Sequence, residues 1–383
     1  MIQIASIPAE GPAFEAFLDF PETIYDRNSP WRARPSVRTR QLLDQARNPY
    51  WRQAEYALFM AWEGVRPIGR ISAVRRFPAG QRGVGETDGF FGFFECIPDL
   101  AAARGLLQAA ANWLLERGCT RMLGPCQPTP DYDSYGLLIE GFDQLQVSGE
   151  SFNPEYYPGL CEQFGLRKER DFISVMNRVD GNPIYDRAMA QMGRYGARHS
   201  AARVRDFDVT RFDEEVEVVR HILTQAFADR PLYAELDGAT HGFLLQSIAR
   251  REDLHCFSIV EIDGRPVGLN LTAPNYDEEL RGRPIQWIRS NEFAVLPEYH
   301  RTHAAVPLYH YSWLKVQRGG YAGASIGYLS EHSDSMSRMT EKVGSVRVKC
   351  HRLYQMPLNV STDPISIGLK SAPPPDVCAP GEP

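Results

Sequence analysis

The 383-residue chain has no run of about 18 consecutive apolar residues, which argues against a membrane-spanning helix. Its start, Met1-Ile2-Gln3-Ile4-Ala5-Ser6, has no basic n-region and no long apolar stretch, so no secretory leader is read there and the expectation is a cytoplasmic protein with no membrane partner. No block of one charge sign occurs. Lys and Arg number 42 against 48 Asp and Glu, a net charge of −6 that weighs against nucleic acid as the partner, because phosphate binding favours a basic stripe. The seven cysteines (96, 119, 126, 161, 256, 350 and 378) are odd in number, scattered and without a Cys-x-x-Cys pair. Neither a disulfide framework nor a zinc knuckle is encoded, and reduced thiols are expected. His300, His303 and His310 supply one His-x-x-His but no carboxylate at helpful spacing, so no metal site is expected.

What is present is a message stated twice. Glu63-Gly64-Val65-Arg66-Pro67-Ile68-Gly69 follows the apolar run 56–62, and Ile262-Asp263-Gly264-Arg265-Pro266-Val267-Gly268 follows 256–261; the two Arg-Pro-apolar-Gly frames lie 199 positions apart. Asn112-Trp113-Leu114-Leu115 before Gly118 and Ser312-Trp313-Leu314-Lys315 before Gly319 keep an offset of 200 to 201. Two landmarks in one register indicate a duplicated domain, too long a repeat for a solenoid and right for two globular halves.

Each half reads as helix, hairpin, strand, helix, strand, helix, strand. In the second, Phe212, Val216, Val219, Ile222, Leu223, Ala226 and Phe227 recur at helical spacing over 211–229. A hairpin 255–273 turns at Asp263-Gly264, a strand covers 285–295, and a helix over 304–318 stops at Gly319-Gly320. A strand at 323–329, a short helix at 334–342 and a strand at 346–355 follow. In the first, the hairpin is 56–74, the third strand 86–95, and the helix 99–117 has Asp99 as N-cap. A Gly/Pro-rich insertion, 124–133, precedes a helix at 155–164 and a strand at 171–178. Residues 21–53 read as a loop-rich strap. The expected division is 1–180, a linker with helical character at 181–200, 201–358, and a Pro-rich, disordered tail at 359–383.

At Asn291-Glu292-Phe293-Ala294-Val295-Leu296-Pro297-Glu298-Tyr299, followed by His300-Arg301-Thr302-His303-Ala304-Ala305, the chain resembles the GNAT N-acetyltransferase superfamily. Gly89-Phe90-Phe91-Gly92-Phe93-Phe94-Glu95, Gly136-Leu137-Leu138-Ile139-Glu140-Gly141-Phe142 and Asn153-Pro154-Glu155-Tyr156-Tyr157, with the Trp31 and Asn48-Pro49 region, extend the likeness to a bacterial tandem GNAT family over about residues 20–356. The resemblance implies an α/β (α+β) fold of two GNAT-like acyltransferase domains, each a mixed, mostly antiparallel sheet flanked by helices, the N-terminal one degenerate.

The resemblance also implies an acetyl-CoA or other acyl-CoA cofactor, whose pyrophosphate such proteins bind on backbone N–H groups at a helix N-terminus. Val295, His300, Arg301, Thr302, His303, Ala304 and Ala305 match that loop. Here His300 replaces the usual Arg or Gln and His303 the first Gly, while Thr340 and Ser333 stand where a tyrosine acid and a cofactor-contacting Asn are usual. The first half has no glycine loop, since Cys96-Ile97-Pro98-Asp99 simply starts a helix, and no cofactor is expected there. Glu292, with Asn291, and Glu331 with His332 are the candidate catalytic residues. Strand alternation places Arg289, Asn291, Phe293 and Val295 on one face and Glu292 on the other, unless a β-bulge reverses it. Asp131, Tyr132, Asp133, Tyr135, Glu150, Asn153 and Tyr156 are candidate substrate-binding residues in polar loops at strand ends, against the alternative reading of solvated turns and interdomain packing.

The leading expectation is an acyltransferase moving an acyl group from an acyl-CoA or carrier-protein thioester to the amine of a small-molecule acceptor, with chemistry in the second half and an acyl carrier protein as a further partner. An aminoacyl-tRNA donor is weighed down by the acidity. Two alternatives stay open: a divergent GNAT-fold enzyme of specialised metabolism that no longer uses acetyl-CoA, favoured by the departures at 303 and 340, and a non-catalytic small-molecule-binding protein.

Overall fold

The computed structural model describes residues 1–25, 31–33, 35–77, 87–129, 134–198, 201–229, 232–331 and 334–358. The chain forms two compact units. The first gathers Met1–Asp143, Ser151–Arg170 and the segment from Arg352; the second gathers Gln144–Glu150 and Asp171–His351.

The first unit contains β1 (Ile2–Ile7), α1 (Gly11–Asp19), α2 (Pro21–Ile24), α3 (Ser36–Leu43), β2 (Ala54–Glu63), β3 (Arg66–Arg76), β4 (Asp88–Cys96), α4 (Leu100–Glu116), β5 (Arg121–Gly124), β6 (Leu137–Glu140) and α5 (Tyr157–Phe164). β7 (Arg167–Arg178) passes into the second unit, followed there by α6 (Pro183–Arg198), β8 (Ala202–Asp206), α7 (Phe212–Ala226), α8 (Gly238–Ile248), β9 (Ser258–Ile262), β10 (Arg265–Pro274), β11 (Trp287–Val295), α9 (Ala305–Arg318), β12 (Gly323–Ser330) and α10 (Asp334–Lys342). β13 (Val346–Pro357) returns to the first.

The strand order in the first unit is β1-β2-β3-β4-β5-β13, and in the second β8-β9-β10-β11-β12-β7. Among the described residues, neighbours along these two orders pair antiparallel except β4 with β5 and β11 with β12, which pair parallel. The two sheets therefore trade their last strands. β13, from the end of the chain, lies against β5 with Tyr354 opposite Gly124, and β7, from the first sequence half, lies against β12 with Gly323 opposite Arg178. The expected boundaries at 180 and 201 follow sequence order, whereas the compact units follow this exchange. The segment 181–200 carries the helix α6, whose Tyr185 and Met189 pack with Tyr309 and Trp313 of α9.

The expected hairpins form at matched positions. Glu63 pairs with Arg66 around Gly64 at φ 62°, and Ile262 with Arg265 around Asp263 at φ 50° and Gly264 at φ 75°. Positive φ at the first turn residue matches the right-handed twist of the flanking strands, and glycine reaches it without a Cβ clash. In α4, Asp99 accepts from the Ala102 N–H at 2.9 Å, and Ala103, Leu106, Leu107, Ala110 and Leu114 recur at helical spacing on the core. They meet Ile4, Phe59, Ile71 and Phe91 of the sheet, each fully buried leucine contributing about 1.5–3 kcal/mol. Phe90, Phe91, Phe93 and Phe94 are all core residues. In the second unit α9 turns Tyr309, Trp313 and Val316 onto Ile288 and Ala324. Among the described residues no helix is long and apolar enough to cross a membrane.

Candidate functional site

β11 and β12 run paired from Trp287 and Gly323 as far as Ser290 and Ile326, and the recorded pairing ends there. At that point β11 carries a bulge: Leu271 of β10 faces Glu292 and Thr272 faces Ser290, leaving Asn291 as the extra residue. The bulge corrects the simple alternation read from sequence. Ile288 and Phe293 both pack with Tyr309 of α9 although five residues apart, so the faces reverse at Asn291. Glu292 therefore shares the face of Arg289 instead of opposing it. The Asn291 side-chain Nδ2 is buried without a hydrogen-bond partner. β12 distorts just beyond, with Tyr328 at φ 55° and a register shift against β7 between Ile326 and Leu329.

The Arg289 face is the charged one. Ser325 lies opposite Arg289 in the parallel ladder and opposite Met176 of β7, which puts Ser174, two residues on, on the same face. Lys349 and His351 bring the same face of β13. Over these strands lies the segment 144–150. The Ser148 N–H donates to Asn275 Oδ1 at 2.8 Å, the Ser148 hydroxyl exchanges hydrogen bonds with Asp277, and Arg289 Nη1 donates to the Ser148 carbonyl at 2.6 Å. Gly149, at φ 75°, is needed here because a Cβ would lie 1.7 Å from Arg289 Nη1. The segment delivers Glu150 into an ion pair with Lys349 at 2.6 Å, both side chains 1% exposed. Burial pushes the Glu150 carboxyl up, but Lys349, His351 and Arg289 together outweigh it and hold it at about 2. Glu150 is thus a fixed, buried anion, and the solvated-turn reading of it is overturned.

The two helices that follow the parallel strands differ at their N-termini. α4 is capped by the Asp99 carboxylate. α9 has no side-chain cap, and its approach runs through a helical turn, Pro297–Thr302, that ends with His303 at φ 59°. This left-handed conformation is the one glycine usually supplies, so the backbone makes the turn despite the Cβ. The His303 ring is exposed and meets Tyr195 edge-on at 5.4 Å. His300 Nε2 lies 2.9 Å from the Val295 carbonyl, Thr302 bonds the Tyr299 carbonyl, Arg301 is exposed, and Val295 and Ala304 are core. Ala305 is the first residue of α9.

Of the other residues singled out, Glu331 accepts from the Asp171 N–H at 3.1 Å as an exposed strand-end link. Tyr135 is buried beside Cys126. Asn153 accepts from the Leu138 N–H at 2.7 Å and donates to the Leu138 and Pro154 carbonyls, holding β6. Tyr156 donates to the Cys96 carbonyl at 2.7 Å. Asp131, Tyr132, Asp133 and His332 lie outside the described residues, as does the tail 359–383. Thr340 is buried, its carbonyl receiving the N–H groups of Val343 and Ser345. Sequence reading missed Lys349 and the role of Arg289, because nothing local announces that residues 150, 289 and 349 share one sheet face.

A second polar centre, also unforeseen, lies in the first unit. Glu95 receives the Tyr157 hydroxyl at 2.7 Å and the Tyr25 hydroxyl at 3.2 Å, both on Oε2. Arg70 stands directly opposite on β3. Burial raises the Glu95 carboxyl to about 7, with Arg70 and the two tyrosines offsetting part of the cost.

Against solved structures, the chain is similar over 94% of its length to all of a tandem GNAT protein from the clavulanic acid biosynthesis pathway, at TM-score 0.57 and 10% identity. This is a tandem GNAT fold. A probable N-acyltransferase from Enterococcus faecalis V583 gives TM-score 0.55 and 8% identity over 94% of this chain and 73% of that one. In sequence, the chain is 26% identical over 379 residues, 93% of its length and 98% of the relative, to a bacterial ceramide synthase of Caulobacter vibrioides. It is 25% identical to protein YghO of Escherichia coli, over 89% of this chain and 92% of that protein. No protein-family model matches.

Proposed function

We propose that the chain is an N-acyltransferase joining an acyl group, carried as a thioester, to the amine of a long-chain amino alcohol. The observation that supports this most is the likeness along 93% of the chain to a protein named for making ceramide, which is chemically the amide of a fatty acid with such an amine. The tandem GNAT fold agrees with it. The donor is read as an acyl-CoA, and of the two helix N-termini the residues at α9 fit its phosphates, being free of a side-chain cap and flanked by the exposed Arg301, whereas the Asp99 carboxylate at α4 would repel them.

In this reading the amine nitrogen attacks the thioester carbon where β11 and β12 part. The C–N bond forms, the C–S bond breaks, the amine gives up a proton and the thiolate takes one. Glu292, turned by the bulge onto the Arg289 face, is the base assigned to the second unit. Asn291 Nδ2 is a free donor for the carbonyl oxygen as it gains charge. Thr340 cannot act as an acid near neutral pH, so solvent supplies the thiolate proton. The Glu150–Lys349 pair is already neutralised and anchors the segment 144–150.

The test is to incubate the purified chain with palmitoyl-CoA, acetyl-CoA or an acyl-carrier-protein thioester together with an 18-carbon 2-amino-1,3-diol, and to follow amide by mass spectrometry and thiol release in parallel. Amide formation that falls about a hundredfold in Glu292→Gln is expected. Absence of amide from every donor removes the reading and leaves a binding protein or a different chemistry.

A further inference from the structure

Two exposed apolar side chains of the second unit are brought to one place although they lie far apart in the chain. Among the described residues of that unit the exposed large apolar side chains are Ile184, Leu280 and Val346. Ile184, 53% exposed, sits in the first turn of α6, and Val346, 64% exposed, opens β13. The turn between α10 and β13 joins them, since a Cβ at Gly344 would lie 3.1 Å from the Ile184 Cβ. Asn177 Nδ2 donates to the Val343 carbonyl at 3.0 Å and Asn182 Nδ2 to Asn177 Oδ1 at 3.1 Å, while Asn182 Oδ1 receives the Tyr185 N–H at the start of α6. The juxtaposition is therefore fixed by hydrogen bonds. A lone exposed Val or Ile is ordinary on a protein surface, whereas two held together keep apolar surface open for contact.

The surroundings of the pair are basic. On α6, Tyr185 and Met189 pack with Tyr309 and Trp313 of α9, whereas Ile184, Arg187, Gln191 and Arg194 recur at helical spacing as an exposed stripe. Lys342 ends α10 and Arg347 follows Val346, both exposed, so cations flank the apolar pair from two further elements. Asp186 and Glu341 are exposed beside them, and the cations outnumber these acids in a chain whose net charge is −6. The stripe runs toward the turn before α9, where Tyr195 meets the His303 ring edge-on at 5.4 Å and a Cβ on Gly196 would lie 3.9 Å from Pro307. One basic helix face thus leads from the apolar pair to the turn assigned to the donor.

We propose that this face seats the protein on an anionic lipid surface, with Ile184 and Val346 entering the headgroup boundary and Arg187, Arg194, Lys342 and Arg347 meeting lipid phosphates. The choice of occupant rests on the function proposed above. A long-chain amino alcohol and its amide both gather in lipid, because every methylene removed from water is favourable. Among the described residues no helix is long and apolar enough to cross a membrane, and a peripheral face needs none. An acidic carrier protein would answer the cations but would not bring the acceptor out of lipid, and a second copy would set like charges against each other. Each cation beside an anionic bilayer strengthens binding about fivefold, and the apolar pair adds a contribution that salt does not screen.

The experiment is co-sedimentation of the full chain, without donor or acceptor, with vesicles of phosphatidylcholine alone or with about 30% phosphatidylglycerol added. The chain should bind the anionic vesicles, weaken about tenfold between about 0.1 M and about 0.5 M salt, and leave the neutral vesicles bare. The triple variant Arg187→Gln, Arg194→Gln and Lys342→Gln should bind about a hundredfold more weakly, and Ile184→Ser with Val346→Ser about tenfold more weakly. Both should keep the native Tm, because the side chains are exposed. Equal binding to neutral vesicles, no binding to either kind, or affinity unchanged in either variant overturns the face. A dimer that the serine variant splits would give the face to a second copy, and carrier-protein binding that the triple variant abolishes, in a chain that ignores vesicles, would give it to that protein; either result overturns the proposal. Vesicle binding in the expected pattern by a chain that makes no amide retires the acyltransfer reading and leaves the face standing, whereas amide made from a soluble short-chain amino-diol without vesicle binding does the reverse.

Discussion

The two units share a sheet plan, a hairpin and a parallel strand pair, yet place their polar groups in opposite ways. In the first, the helix after the parallel strand is closed by Asp99 and the neighbouring ladder buries Arg70 against Glu95. In the second, α9 has no side-chain cap, the matching ladder pair is Leu269 and Ala294, and buried charges sit on β11, β13 and the segment 144–150 as Arg289, Lys349 and Glu150. The comparison separates what the fold requires from what it tolerates. Hairpin turns and core helices recur because they close backbone hydrogen bonds and bury apolar area. Charges that appear in one copy and vanish in the other are not required by the shared fold: the Glu150–Lys349 pair serves to anchor the segment 144–150 of its own unit.

The largest effect should come from the buried pair of the second unit. Lys349→Met removes the 2.6 Å ion-pair partner of the buried Glu150 and should cost about 3–5 kcal/mol in chemical denaturation. Glu150 is held at about 2, below its unfolded value, so its contribution of about 3 kcal/mol is present above about pH 4.5 and lost as pH falls toward 2. Glu150→Gln should remove that acid limb, and an unchanged limb would show that other carboxylates govern acid unfolding.

Glu95 has the opposite sign. Its folded value of about 7 lies above the unfolded one, so its contribution is complete below about pH 4.5 and is lost, by about 3 kcal/mol, as pH rises through 7. Glu95→Gln should flatten this slope and make the variant the more stable protein at pH 8. A slope that survives the substitution would show that the two units do not differ in this respect.

Smaller effects test the helix termini. Asp99→Ala should lower stability by about 1 kcal/mol through loss of the cap, without touching acyl-CoA affinity. His303→Gly relieves a left-handed residue and should gain up to about 1 kcal/mol. It should also tighten acyl-CoA binding by giving phosphates room. Weaker binding would give the imidazole a role of its own.

Much of the fold was legible because it rests on local physics. The duplicated Arg-Pro-apolar-Gly frame places a turn where Gly64 and Asp263-Gly264 take positive φ, and helical spacing of Leu106, Leu107 and Leu114 marks a core face whatever it packs on. The Asp99 cap is a side chain bonding a backbone three residues away. Less of the site was legible. Glu292 was named, but its face depended on one extra residue in β11, and a bulge has no reliable local signature.

The sequence alone therefore determined the two-fold repeat, the matched hairpins and the helices α4, α7 and α9, which follow from periodicity and short-range bonding, whereas α8 was not read and α2 and α3 lie in the segment read as a loop-rich strap. Only the tertiary structure decided that β7 and β13 complete each other's sheets, that Glu150 meets Lys349 and that Arg70 faces Glu95. Those outcomes depend on register and strand order among residues up to about 200 positions apart, as residues 150 and 349 are. Burial then sets their charge states, because desolvation acts on a group only after distant segments have closed over it.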